Sequence, residues 1–434
     1  MLTHPPSPSS LQLKIAALDT DSLARAAGFL RRRSHKLTPA NFLLTTCLFA
    51  LQHRCSLASF AQHWAALHNQ YLSKQAVHKR FGQAAVQFLQ AVLQKVLASS
   101  LLEQGRSLMA SCHGFNRILL QDSTCLSLPA RLASLFPGPA NQKSKKQAGL
   151  KIQATLDLLK NQWLQFQVTP FTVNDQKASP DILERLQPAD LVIRDLGYLV
   201  LDVLKQIHQR GAYFLSRLRC DLALFCPHSQ ARLSLLACLK GTGSIWEREV
   251  LLGEQKLRVR LIAVRLPEAT VAERRRKARQ NRDQRLHRTE EYFQLLAWNI
   301  FITNVPAALL EAPALARLYS LRWRIEIIFK TWKSHFKIDQ LTDVSASQLL
   351  IVIFAKLIWI CWFSVQWTAL ATMQEGSQVS LLKLAQWWAT FAFVFCVQAR
   401  NVPPDGLILQ PLYYCSYEKR KKRLNFLQKC AFLG

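Results

Sequence analysis

Three carboxylates in this chain stand where a hard cation could be held. Tyr319, Arg322, Glu326 and Lys333 are separated by three, four and seven positions. At about 100° per residue, helical geometry brings all four into one sector. Leu321, Ile325, Ile328 and Trp332 fill the opposite sector. One face can therefore be buried against a sheet, while the other presents a carboxylate between two cations and a phenol. Two further acids follow apolar stretches, Asp122 after ILLQ and Asp195 after LVIR. In open α/β sheets, polar groups converge on a ligand where strands end. Three acids with no His or Cys at metal-ligand spacing form an all-oxygen donor set, which suits Mg2+ accompanied by waters and a phosphate. Without a cation, three such groups brought together repel strongly.

Each of these residues has a structural alternative when taken alone. Arg322 and Glu326 have the spacing of an exposed helical ion pair, and either Asp can be a turn or cap residue. What speaks for chemistry is their company.

The elements that would position them follow from pattern. MLTHPPSPSS is Pro/Ser-rich and lacks the basic start and apolar run of a signal peptide. Residues 20 to about 110 read as helical, with Ser56 and Ser73 placed to cap two helices of a helix–turn–helix. The second of these carries Lys74, Lys79 and Arg80; an ordinary helical bundle with a basic face is the alternative. RILLQDSTCLSL, KIQATLDLL and WLQFQVTPF read as strands, and ADLVIRDLGYL as a strand ending at Asp195. A helix and a strand follow, which indicates a mixed α/β layer fold. From 222 to 305 three long antiparallel strands are expected, WEREVLL, KLRVRLIAVRLP and YFQLLAWNIFITNVP, around a basic loop. A single helix is expected over 312–338, and helices thereafter. Gly197 is expected to permit a tight turn after Asp195.

The net charge of +29, from 56 Lys and Arg against 27 Asp and Glu, calls for a polyanionic partner, with nucleic acid first. An anionic membrane is the rival. The apolar run LLIVIFAKLIWICWFSV (349–365) carries Lys356 in its middle and is read as a core helix rather than a span. Half the residues are apolar, so a large core is within reach. Eleven scattered cysteines without a zinc pattern fit a reducing, cytoplasmic setting.

Asp-Ser-Thr at 122–124, Asp-x-Gly-Tyr at 195–198 and Tyr-x2-Arg-x3-Glu-x6-Lys at 319–333 resemble the signature blocks of DDE transposases. The likeness is to the bacterial insertion-sequence group with the Tyr-Arg-Glu-Lys signature, and it covers about 115–340. Leu196 stands where that family often has a basic residue. The resemblance implies an RNase H-like catalytic domain interrupted by a β-rich insertion and flanked by helical regions. It implies catalytic and metal-binding roles for Asp122, Asp195 and Glu326 with two Mg2+ ions, Mn2+ being a possible substitute. Two such ions activate the nucleophile and stabilise the leaving oxygen of a phosphodiester.

The expected layout is a helical DNA-binding region over 1–114, a core over 115–221, the insertion over 222–305, the catalytic helix over 306–345 and a helical end with a basic tail over 346–434. Arg322 and Lys333 would bind phosphates and Tyr319 would contact the same strand. Arg274, Arg275, Arg276 and Lys277, with Arg279 and Arg282, would track DNA outside the site. In the related group an insertion aromatic can hold a flipped base; Trp246 is the candidate and Trp298 reads as core. The expected reaction is cleavage at transposon ends and strand transfer into target DNA by a homodimer at the nucleoid. Its rivals are a nuclease of the same fold without strand transfer and a DNA-binding derivative without activity.

Overall fold

The computed structural model describes residues 14–32, 36–52, 55–102, 114–139, 147–281, 289–341, 344–373, 379–398, 415 and 425–431. In chain order its elements begin with α1 (Thr20–Ala26), α2 (Pro39–Ala50), α3 (Leu57–His68), α4 (Lys74–Arg80), α5 (Gln83–Leu102), β1 (Ile118–Leu128), β2 (Ala148–Asp157) and β3 (Gln162–Pro170). Next come α6 (Asp175–Ala178), β4 (Leu191–Arg194), α7 (Leu201–Gln209), β5 (Tyr213–Arg217), β6 (Leu224–Phe225), β7 (Arg232–Leu233), α8 (Leu235–Leu239), β8 (Ile245–Leu252) and β9 (Leu257–Arg265). They end with α9 (Glu268–Gln280), α10 (Glu290–Leu295), β10 (Trp298–Thr303), α11 (Ala312–Ser320), α12 (Trp323–Ser334), α13 (Ala346–Met373), α14 (Leu381–Gln398) and α15 (Phe426–Ala431). The chain divides into two compact units. One gathers Met1–Leu108, Ser123–Val173 and Arg324–Gln428, the other Met109–Asp122, Asn174–Trp323 and Lys429–Gly434.

In the first, mainly helical unit, α3 and α4 start where the sequence placed them. Ser56 Oγ accepts from Ser59 N at 3.1 Å, and Ser73 Oγ from Ala76 N at 3.1 Å, each satisfying an otherwise orphaned donor of the first turn. The N-terminal helices share this unit with the β2–β3 hairpin and with α13, which packs on α2 and α5. Helix α13 is apolar on every side, as a helix buried all round must be. It is long and apolar enough to cross a membrane, yet here Leu349, Ile353, Leu357, Ile360 and Trp367 are all buried in protein. Lys356 is wholly buried and donates from Nζ to Lys337 O at 2.5 Å. Helix α12 is seated on β3: Trp332 lies 5.1 Å from Trp163 and 5.7 Å from Phe166, ring centre to centre.

In the second unit, the strand order is β1-β4-β5-β10-β9-β8-β6-β7. The first three are parallel; β10 joins β5 antiparallel, and the strands beyond it are antiparallel throughout. The mixed α/β class expected from the sequence is present. The strands of the 222–305 stretch extend the same sheet.

Several local expectations need correcting. The basic run after β9 forms helix α9: its Ala, Glu, Arg and Lys are good helix formers, and Arg276 and Lys277 add pairs to Glu273 one turn back. YFQL belongs to α10, capped by Thr289, which accepts from Tyr292 N at 3.2 Å. The helix expected over 312–338 is two. Leu321 N donates to Leu318 O and Arg322 N to Tyr319 O, both at 3.0 Å, so the turn tightens to three-residue spacing and the axis restarts at Trp323. Strand β1 continues through Asp122 to Leu128 with alternating burial from Thr124, so Asp122 is within a strand, not at its end.

Candidate active site

The site begins with register. Strands β1 and β4 run parallel from Ile118↔Leu191 to Gln121↔Arg194. Asp122 and Asp195 are the next residue on each, so both acids leave the paired segment at the same level. Asp195 precedes a tight turn over Leu196–Tyr198. A Cβ at Gly197 would lie 3.1 Å from Asp175 Oδ2, a tight approach that a small movement of the Asp175 side chain relieves, and the backbone there is not left-handed, so the turn does not demand a glycine.

Arg322, in the turn between α11 and α12, reaches both acids. Its Nη1 donates to Asp122 Oδ2 at 3.2 Å, and its Nε lies 3.8 Å from Asp195 Oδ1. The Arg322 and Asp122 side chains are 14% and 15% exposed, whereas Asp195 at 44% faces solvent. A guanidinium thus stands between two carboxylates in a partly desolvated place, where charge–charge energies exceed those in water. Tyr319 packs its ring 4.9 Å from Phe301 and donates its hydroxyl to Arg194 O at 3.4 Å. Burial pushes the Tyr319 phenol up to about 12, with Arg322 opposing, so it remains a donor at neutral pH. Arg194 itself is fully buried; desolvation lowers it to about 10, which leaves it charged at neutral pH.

Residues 113–343, which include all of these groups, match the family model of the transposase DDE domain. The chain belongs to that family. It is 33% identical over 360 residues to the transposase for insertion sequence element IS231D of Bacillus thuringiensis subsp. finitimus, covering 78% of this chain and 74% of that one. It is 28% identical over 453 residues to the transposase for IS231F of Bacillus thuringiensis subsp. israelensis, covering 98% and 94%. Among solved structures it resembles a piggyBac transposase synaptic complex with hairpin DNA, with TM-score 0.47 and 8% identity over 96% of this chain and 87% of that one. The family model and the insertion-sequence relatives make the chain a DDE transposase of the bacterial insertion-sequence kind.

Glu326 and Lys333 of the transposase lie on α12, both half-buried and seven residues apart on one face. Among the described residues, no three His, Cys, Asp or Glu side chains are gathered closely enough to share one ion. Trp323 is 51% exposed immediately after Arg322, and nothing in the sequence distinguishes it from the buried Trp332. Arg194 carries no signal in the sequence either, because a charged residue at a strand end reads as solvated.

The basic candidates divide into two classes. Lys74 and Lys79 are exposed on α4, but Arg80 turns inward, donating to Phe29 O at 3.3 Å and lying 5.9 Å from the Phe29 ring centre. On α9, Arg274 donates to Trp298 O and Asn299 Oδ1 at 3.3 and 2.7 Å, and Arg275 to Phe293 O at 3.3 Å. Both are tied to the protein, whereas Arg276, Lys277 and Arg279 are exposed. Trp246 is half-buried near the start of β8, opposite Ala263. Trp298 is buried, as its apolar surroundings suggested. Arg282 and the basic run at 418–423 lie outside the described residues.

Proposed function

We propose that this transposase cuts DNA at transposon ends and joins the freed ends to target DNA, with Asp122, Asp195 and Glu326 as its acids. The observation that carries the proposal is the Arg322 guanidinium between Asp122 and Asp195. Two carboxylates drawn to one cation from adjacent parallel strands form a hard-oxygen pair, and a divalent ion fits that chemistry. DDE transposases depend on divalent metal in general. For this chain Asp122, Asp195 and Glu326 would hold it as two Mg2+ ions, with Mn2+ able to substitute. When bound, such ions lower the barrier to attack by water or a 3′-hydroxyl on the phosphodiester.

The chain's own groups bind and orient the DNA. Phosphate competes with Asp122 and Asp195 for Arg322, so an incoming DNA end releases the acids as it is gripped. Lys333 holds a second phosphate from the same helix as Glu326. Tyr319 serves the turn that carries Arg322, since its hydroxyl is taken by Arg194 O. The exposed Trp323 ring offers a base-stacking surface, with Trp246 as the alternative within the insertion. Lys74, Lys79, Arg276 and Lys277 follow the duplex backbone at a distance.

The catalytic part is an RNase H-like core with the 222–305 stretch inserted and helical regions on both sides. The chain carries the Tyr-Arg-Glu-Lys signature. It acts as a homodimer on double-stranded terminal repeats in the cytoplasm, at the nucleoid. The test is an in vitro reaction of the full chain with a linear duplex carrying an element end, a supercoiled plasmid and Mg2+. Joined end–plasmid product supports the proposal. Cut ends without joined product indicate a nuclease, and binding without cutting indicates an inactive derivative.

A further inference from the structure

A buried guanidinium with no carboxylate beside it is costly. Arg194 is 0% exposed, and among the described residues no acid pairs with it. Its donors go to neutral oxygens: Nη1 to Ser179 Oγ at 2.7 Å and to Tyr198 O at 3.5 Å, and Nη2 to Ser179 O at 3.0 Å. Ser179 Oγ in turn donates to Tyr198 O at 2.9 Å. Its strand partner Gln121 is also buried and donates to Ala178 O at 3.3 Å. The backbone oxygen of Arg194 accepts from Tyr319.

These bonds converge on the level just before the two acids. Gln121 and Arg194 are the last register pair of β1 and β4, and Asp122 and Asp195 follow them. One guanidinium therefore ties together the end of β4, the Ala178–Ser179 junction and the Leu196–Tyr198 turn. A buried charge is a costly way to fill space, so what the position supplies is its hydrogen bonds to Ser179 and Tyr198 rather than packing volume.

We propose that Arg194 is a positioning residue for the acid pair, holding Asp195 level with Asp122 by fastening the turn after β4 to Ser179. This rests on Asp195 being a metal-holding acid. Asp195 is the more exposed of the two acids, and its turn needs the tether most.

The test uses the full-length protein and the variants Arg194→Met, Arg194→Lys, Ser179→Ala and Asp195→Asn. Thermal melts are run across a Mn2+ titration, beside Mg2+-dependent nicking and a gel-shift on an end duplex. Arg194→Met should stay folded without metal, melting somewhat lower because Ser179 O loses its donor, and should bind the duplex within about twofold. Its half-saturating metal concentration should rise at least tenfold, in both the melting shift and nicking. Arg194→Lys should recover most of that loss, and Ser179→Ala should show a smaller rise of the same kind. An unchanged half-saturating concentration in Arg194→Met overturns the proposal, as does a fall in melting, binding and nicking together. If Arg194→Met does not fold, Ser179→Ala decides on the same readouts. Asp195→Asn separates the two levels. Undiminished nicking by it removes the metal assignment itself, whereas its failure beside a wild-type-like Arg194→Met removes only the role of Arg194.

Discussion

Arg322 donates to Asp122 across 3.2 Å although the two residues are 200 positions apart. The guanidinium offsets the repulsion that Asp122 and Asp195 would otherwise feel. Arg322→Ala should therefore lower stability by about 1–3 kcal/mol in metal-free buffer, the range for removing one partner of a largely buried charged hydrogen bond. Saturating Mg2+ or Mn2+ should restore much of the loss by taking over the same two carboxylates. Melting curves over a metal titration check this, and a loss indifferent to metal contradicts it.

Trp323 presents a half-exposed ring next to that guanidinium. Trp323→Ala should weaken the complex with an end duplex by about 1–3 kcal/mol beyond any change in folding stability, the range for a lost base–aromatic stack. Trp323→Phe should keep most of the affinity. Fluorescence anisotropy with a labelled duplex measures both, and equal losses for Ala and Phe would speak against stacking.

Helix α9 offers a contrast within one turn. The double variant Arg276→Ala with Lys277→Ala should weaken binding alike on every duplex and lower the salt slope by up to about 2, one counterion per phosphate contact. Arg274→Ala should act differently, by destabilising the fold, because Arg274 holds Trp298 O and Asn299 Oδ1. Titrations at several salt concentrations, paired with melts, separate the two. A sequence-selective loss in the double variant contradicts backbone tracking.

Burial lowers Lys356 from 10.5 to about 8. The unfolded chain then binds one more proton than the folded chain between those values, so the contribution of this residue to stability rises with pH across that window. The full effect is about 3 kcal/mol, at 1.36 kcal/mol per pKa unit. The stability difference, wild type minus Lys356→Met, should become more favourable to wild type from pH 8 to pH 10.5 and stay flat from pH 6 to pH 7.5. Denaturant titrations at these pH values test the sign; a difference independent of pH contradicts it.

What the sequence revealed was local or patterned. The caps at Ser56 and Ser73 were legible because a cap bond spans three residues. Strands β1 to β5 were legible from short apolar runs between turn residues. Helix α9 is hard to see in the sequence because dense charge masks good helix formers and the Glu273 pairs. The break at Leu321–Arg322 carries no Gly or Pro, so nothing in the sequence marks it. The acids were legible as residue types in order, but their common level was not. That depends on Gln121 pairing with Arg194, a contact between distant segments that no local pattern encodes. Arg194 was hidden for the same reason, since its burial follows from partners on three separate segments.

The three acids are best tested by a nicking assay on a labelled end duplex. Wild type is compared with Asp122→Asn, Asp195→Asn and Glu326→Gln in Mg2+ and in Mn2+, with a gel-shift and a thermal melt for each protein. The amides keep shape and hydrogen bonding but remove the charge that retains a divalent ion. All three variants should fold and bind the duplex at least as well as wild type, and none should nick it with either metal. Robust cleavage by Glu326→Gln, with folding and binding intact, would contradict the three-carboxylate assignment directly.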